Sequence, residues 1–350
     1  MIDSWDRAAF KARVDDTLSA FLTAETDELL SIDPDLKPVA EQVRLAAAHG
    51  KRLRAAFCYW GWRAAGQPDS EALLRAAASM ELVHAAATVH DDLIDDSPRR
   101  HSRPTAHIAL LEPVRGRPGA AAAARSLAML AGDLLMALAG QLFTSSGLPA
   151  AYLARARPLW SALARELIAG ECLEILRTAG PPDTQDSLKV IRYKTAKYTV
   201  EQPLLLGGLL AGASRQLREG YSAYGLPLGE AFQLRDDLLG LFGDPDRTGK
   251  AALDDVRGHR PTALLAETWK AADGTQREHL RALLGRDDLD DRHLATVRSL
   301  MTELKAPQRI EHMITARTEA AARTLHGMDL PRQARCALAD LARSATDRLH

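Results

Sequence analysis

Apolar residues recur at intervals of three and four along nearly every stretch of the chain longer than ten residues, and few runs show the strict alternation of a half-buried strand. This periodicity predicts helices over 4–30, 37–49, 52–65, 70–96, 119–145, 149–178, 185–213 and 215–242, with a C-terminal set over 261–285, 290–304, 307–326 and 331–348. The breaks are chemically plain. "SPRRHSRPT" and "EPVRGRPG" form one long connection over 97–118, "AGPPDTQDS" closes a helix near 179, and "FGDPDRTGK" ends the helix before 243. Pro203 has no N–H to donate and is expected to kink its helix rather than end it. No repeat of solenoid period, low-complexity linker or mid-chain change of composition interrupts the pattern. The expectation is one all-α domain over 1–350.

Composition narrows the function classes. Lys and Arg number 45 and Asp and Glu 46 among 350 residues, so no overall field favours nucleic acid or an anionic membrane, and functional charge must be local. Cys58, Cys172 and Cys336 are widely spaced and unrelated to metal-ligand spacing, and are expected to be buried thiols of a reduced, cytoplasmic protein. The opening "MIDSWDRAAFKARVDD" carries acids and no apolar core of a secretion signal. The most apolar run, "AAAARSLAMLAGDLLMALAGQLF" over 121–143, is interrupted by Arg125 and Asp133. It is expected to be a buried helix rather than a transmembrane segment.

Chemistry concentrates in "VHDDLIDDSPRRH", where Asp91, Asp92, Asp95 and Asp96 fall within six positions. Like charges three and four residues apart on a helix repel. Asp91 and Asp95 lie one turn apart on one face with Asp92 beside them, a poor structural element and a good site for a hard cation such as Mg²⁺, which prefers oxygen ligands and shares substrate phosphates. An isolated cluster of this kind is as readily a solvated helix end. The echo in "FQLRDDLLGLFGDPDRTGK" changes that balance. Asp236 and Asp237 again stand side by side on a helix, Asp244 follows two turns on, and Lys250 lies in the loop beyond. Two such helices are expected to confront each other across a bundle core. Bases alternate with these acids: Lys51, Arg52 and Arg54 at a helix start, Arg99 and Arg100 after the first cluster, Lys194, Thr195 and Lys197 in "YKTAKYT", and Lys250 and Arg260 after the second. Together they suggest two phosphate-bearing groups, one bridged by metals and one held by cations. His84 shares a face with Asp91 and can donate to a diphosphate, whereas His90 points elsewhere.

In order and spacing, "GKRLR", "ELVHAAATVHDDLID", "YKTAKYTVEQPLLLG", "FQLRDDLLGLFGDPDRTGK" and "DDVRGHRPT" resemble the trans-isoprenyl diphosphate synthases of the polyprenyl synthetase group, and most of all bacterial geranylgeranyl diphosphate synthases. The resemblance implies an antiparallel helical bundle around a central cavity, usually a homodimer. It also implies that isopentenyl diphosphate condenses with an allylic diphosphate, with Asp91 and Asp95 ligating two of three Mg²⁺ ions and Asp236 the third. Asp92 and Asp237 support them. Arg100, Lys194, Lys250 and Arg260 grip the allylic diphosphate; Lys51, Arg54, His84 and His101 bind isopentenyl diphosphate; Thr195 and Gln233 border the reacting carbons. The chain departs from the pattern at four places: His101 replaces a second arginine, Ala55 a proline, Gly240 a third aspartate, and Glu171 the usual glutamine after Gly170. Ala86 and Ala87, five and four residues before Asp91, are small where the growing chain should descend, so a twenty-carbon product is expected. The floor is expected among Met129, Leu134, Met136 and Phe143. A class I terpene cyclase of the same fold would share the metal chemistry but has no use for Lys51, Arg54 and His84, and a non-catalytic synthase subunit would be expected to lose aspartates that are all present here.

Overall fold

A computed structural model describes residues 5–100, 102–178, 180–243, 260–284, 286 and 288–346. The described chain is helical apart from one two-residue antiparallel ladder. Its contacts divide it into two compact units, Met1–Ala156 with Leu206–Gly212, and Arg157–Leu205 with Ala213–His350.

The first unit holds α1 (Arg7–Ile32), α2 (Lys37–Ala47), α3 (Leu53–Ala64), α4 (Glu71–Ile94), a single turn α5 (Ala106–Ala109) and α6 (Ala120–Thr144). Asp6 caps α1 by accepting from the N–H of Ala9 at 2.9 Å, and Ser70 caps α4 through the N–H of Leu73, each satisfying a donor that the helix leaves over. Every residue of α3 except Arg63 is buried, including Phe57, Trp60 and Trp62, so this helix forms the unit's core. Gly207, on the later helix α9 (Gln202–Ala211), lies directly on α3. A Cβ there would stand 1.9 Å from the carbonyl oxygen of Cys58, and only glycine permits so close an approach.

The second unit contains the C-terminal part of α7 (Ala150–Arg177), α8 (Thr184–Val190), a π-helical segment (Ile191–Glu201), α10 (Arg215–Phe242), α11 (Ala263–Ala271), α12 (Gly274–Leu284), α13 (Asp291–Glu303), α14 (Ala306–Gly327) and α15 (Arg332–Thr346). Its core packs Leu234 and Leu238 of α10 with Leu264, Val297, Ile310 and Ile314. Buried Glu230 takes Arg192 and Arg317, each at 2.8 Å, so its carboxylate has counter-charges on two sides.

Four features depart from the sequence expectation. The connection 97–118 is partly ordered: β1 (Arg99–Arg100) pairs with β2 (Arg103–Pro104) before α5. The helix expected over 261–285 is two, because Ala272 is extended and Asp273 caps α12 through the N–H of Gln276 at 2.8 Å. The helix expected over 185–213 widens into i→i+5 hydrogen bonding over 191–201, and the N–H of Gln202 donates to the Lys197 carbonyl just before Pro203. Finally, α6 is buried on one face only, with Met129 46% and Leu130 54% exposed. By length and composition α4 and α6 could each cross a bilayer; the apolar window of α4 is 72% buried within the chain and that of α6 44%.

Candidate active site

The first acid cluster closes α4. The helix stops with Asp96 in the left-handed region at φ 51°, and the N–H of Ser97 returns to the Asp92 carbonyl at 3.0 Å, a Schellman-type end with aspartate where glycine is commoner. Carboxylates at a helix C-terminus face the negative end of the dipole, at a cost of about 0.3–1 kcal/mol each. Cations offset it. The β1–β2 hairpin folds Arg100 back, so that its Nε donates to Asp92 Oδ1 at 2.7 Å and its Nη2 to Asp91 Oδ2 at 3.0 Å. Arg125 takes Asp96 at 2.6 Å. Burial works against the Arg100 charge, but Asp92 and Asp91 outweigh it and hold the guanidinium above its ordinary pKa. Asp92 is buried, whereas Asp91 and Asp95 are partly open.

Upstream on α4, Glu81 and His84 belong to the same polar stripe. His84 is kept neutral: burial, then Arg54, Arg100 and Arg52 push its pKa well below the usual imidazole value, with Asp91 opposing them. All three guanidinium groups act on the imidazole through their charge. Arg52 has a structural task as well. Only 3% exposed, it donates to Asp15 at 2.6 Å and to the Ala47 carbonyl at 2.7 Å. Arg54 is buried on α3 and Lys51 exposed just before it. Ala86 is fully buried and Ala87 partly open. His90 turns to α6, its Nε2 3.3 Å from Asp133 and packed where a Cβ on Gly132 would sit, so its role is helix packing.

In the second unit, Lys194 and Thr195 lie in the π-helical segment, which glycines allow neighbouring backbones to touch. A Cβ on Gly170 of α7 would meet Lys194 N at 2.3 Å, and one on Gly229 of α10 would meet Ala196 Cα at 2.6 Å. Lys194 Nζ lies 3.0 Å from Glu171 and also pairs with Glu174. Thr195 is buried. On α10, Gln233 donates to Asp237 at 2.7 Å one turn on, and Asp236 and Asp237 are partly open while Gly240 is buried. Arg260, also partly open, accepts the N–H of Thr262 on its carbonyl at 2.7 Å. His101, Asp244 and Lys250 lie outside the described residues. Sequence reasoning missed Glu81 and Glu174, and noted Glu171 only as a departure.

The sequence profile of the polyprenyl synthetases matches residues 37–301. The chain belongs to the polyprenyl synthetase family. It is similar over 99% of its length to the crystal structure of a geranylgeranyl pyrophosphate synthase from Corynebacterium glutamicum complexed with isoprenyl diphosphate and magnesium, at 34% identity and a TM-score of 0.94, covering 100% of that chain. Among curated proteins it is 35% identical over 64% of its length to a (2E,6E)-farnesyl diphosphate synthase of Mycobacterium bovis, and that match spans 58% of the relative, less than two thirds of it. It is 31% identical over 70% of its length to a geranylfarnesyl diphosphate synthase of Aeropyrum pernix, covering 74% of that protein.

The residues of this chain suit Mg²⁺. Asp91, Asp92 and Asp95 present hard carboxylate oxygens at the end of α4, with Arg100 donating to Asp91 and Asp92. Among the described residues no three His, Cys, Asp or Glu side chains gather into a self-sufficient metal cage. An ion that takes one or two carboxylates and completes its shell with water and phosphate needs no such cage.

Proposed function

We propose that this chain is a Mg²⁺-dependent trans-prenyltransferase that joins isopentenyl diphosphate to an allylic diphosphate and yields geranylgeranyl diphosphate. The observation that carries the reading is that Arg100 closes on Asp91 and Asp92 while the start of α3, with buried Arg54, is tied to the same helix α4 through the Ala55 N–H and Glu81. Carboxylates alone would serve any metal-triggered ionisation. A second cluster of cations beside them suits a second diphosphate, held without metal.

In this reading Asp91 and Asp95 would hold two of three Mg²⁺ ions, with Asp92 in support, and Asp236 would hold the third beside Asp237. Bound there, Mg²⁺ would supply neutralisation of the charge on the departing diphosphate. Arg100, Lys194, Lys250 and Arg260 bind the same group, while Lys51, Arg54, His84 and His101 hold isopentenyl diphosphate. The allylic C–O bond breaks with its electron pair going to the diphosphate, and the double bond of isopentenyl diphosphate attacks the cationic carbon. A proton then leaves the new chain to the released diphosphate. Thr195, buried in the π-helical segment, and Gln233, fixed by Asp237, border the reacting carbons and exclude water. Product length follows from α4, where Ala87 is partly open and leaves room for a tail while Ala86 is spent on packing. The half-exposed apolar face of α6, including Met129 and Leu130, supports a homodimer. It places Met129 at a surface rather than at a chain-length floor. Cys58 is buried as expected, whereas Cys172 and Cys336 lie on exposed helix faces; all three are free thiols, which supports a cytoplasmic setting.

The test is to incubate the purified protein and Mg²⁺ with isopentenyl diphosphate and dimethylallyl, geranyl or farnesyl diphosphate, and to size the dephosphorylated products. Elongation to twenty carbons is expected. Hydrocarbon formed from a prenyl diphosphate alone would make the protein a cyclase instead.

A further inference from the structure

Lys194 is held by two carboxylates in a part of the chain that admits little water. Its side chain is 16% exposed, Glu171 is 19% and Glu174 16%. The arrangement is fixed by backbone contact. Gly170 brings α7 against the backbone of Lys194, Glu171 follows it directly, and Glu174 lies one turn beyond Gly170 on the same face. The neighbouring cation is held less closely: Lys197 has Glu166 at 2.8 Å, a carboxylate shared with the Gln202 amide at 2.7 Å, and its second carboxylate, Glu201, stands off at 4.0 Å. Two carboxylates converge on one ammonium, and poor hydration makes each pairing stronger than at an exposed surface.

We propose that Glu171 and Glu174 are positioning residues that hold Lys194 extended and compete with the allylic diphosphate for its ammonium group. The inference rests on the reading of Lys194 as a diphosphate ligand. An incoming diphosphate must displace carboxylate oxygens from Nζ, which weakens its binding. After the reaction the same carboxylates take the ammonium back from inorganic pyrophosphate and hasten its departure. No bond to carbon is involved; the exchange is of ionic partners only. At either position a glutamine keeps the shape and removes the charge.

The experiment titrates inorganic pyrophosphate, with Mg²⁺ present, into the wild-type chain and the variants E171Q, E174Q, K194Q and E171Q/K194Q, by calorimetry. Steady-state constants for the allylic substrate are measured alongside. E171Q should bind pyrophosphate about five- to tenfold more tightly, the size expected for removing one charge from a poorly hydrated pair, with a lower KM and a lower kcat. E174Q should act in the same direction, and the gain should vanish without Lys194. Damage to the fold would weaken binding and cannot mimic this result. Unchanged or weaker binding in both single variants, or a gain that persists in E171Q/K194Q, overturns the inference while elongation by the wild type leaves the proposed function standing. A wild type that neither binds Mg²⁺-pyrophosphate nor elongates overturns both.

Discussion

Glu81 is the residue whose removal speaks most clearly about how the cation cluster is held. Helix α3 begins at Leu53 after Arg52, which sits in the left-handed region at φ 55° and has no acceptor in its side chain. The orphaned N–H of Ala55 is served from another helix: it donates to Glu81 Oε1 at 2.9 Å, with Glu81 3% exposed and Ala55 fully buried. This bond ties the start of α3, which carries Arg54 and follows Lys51, to α4 one turn before His84. It also gives the departure at Ala55 a physical meaning, since a proline has no N–H to donate. Replacing Glu81 by alanine removes a hydrogen bond to a charged acceptor and strands a buried donor, a loss of about 1.5–3 kcal/mol. A55P removes the donor instead, within the first helical turn where proline is tolerated. Because both changes delete the same bond, E81A/A55P should cost less than the sum of the single losses by about 1.5 kcal/mol. E81Q keeps an acceptor oxygen and should recover part of the stability. Urea denaturation of the wild type and these variants measures the coupling. In kinetics, E81A should raise KM for isopentenyl diphosphate several-fold and leave that for the allylic substrate nearly unchanged. Single losses that add to within about 0.5 kcal/mol, or equal changes in both KM values, would refute the reasoning.

Other consequences are as specific. His84 has a folded pKa well below the ordinary 6.5, so as pH falls through 6.5 the unfolded chain binds a proton that the folded chain does not. Stability should then drop by up to about 1.4 kcal/mol per pH unit; H84Q should lack this component, seen as a smaller shift of its urea midpoint between neutral and mildly acid buffer. G170A forces a methyl group to 2.3 Å from Lys194 N. It should cost about 1–3 kcal/mol and lower the melting temperature, with kcat falling as Lys194 is displaced; a wild-type melting curve would dispose of the close approach. A87F should shorten the product, whereas A86F, at a fully buried position, should chiefly destabilise the fold, as product sizing and thermal melts will show.

Much of this architecture is legible in the periodicity of the chain, because long amphipathic helices with capped ends leave strong signals: α3, α4, α6 and α10 begin and end within two residues of the expected bounds. The motifs also singled out Asp91, Asp92, Arg100, Lys194 and Gln233, which the structure shows in charged or hydrogen-bonded networks. What periodicity cannot reveal is a change of pitch. The widened turns over 191–201 depend on glycines far away in sequence, Gly170, Gly225 and Gly229, and on backbone contacts that no local pattern encodes. The same holds for Glu81 and Glu174, buried or half-buried acids on helices whose partners, the Ala55 N–H and Lys194, lie many residues away. The burial expected for 121–143 failed on one face, because alanine-rich helices look alike whether they are enclosed by their own chain or offered to another.

Under the proposed function, the carboxylates of α4 and a separate group of cations serve two diphosphate substrates, and the reaction requires Mg²⁺. Inorganic pyrophosphate release from farnesyl and isopentenyl diphosphates, followed as Mg²⁺ is added and then chelated, tests this. One pyrophosphate released per isopentenyl unit consumed is expected, with none in EDTA. Release that continues without Mg²⁺, or that proceeds at the same rate when isopentenyl diphosphate is left out, would contradict it.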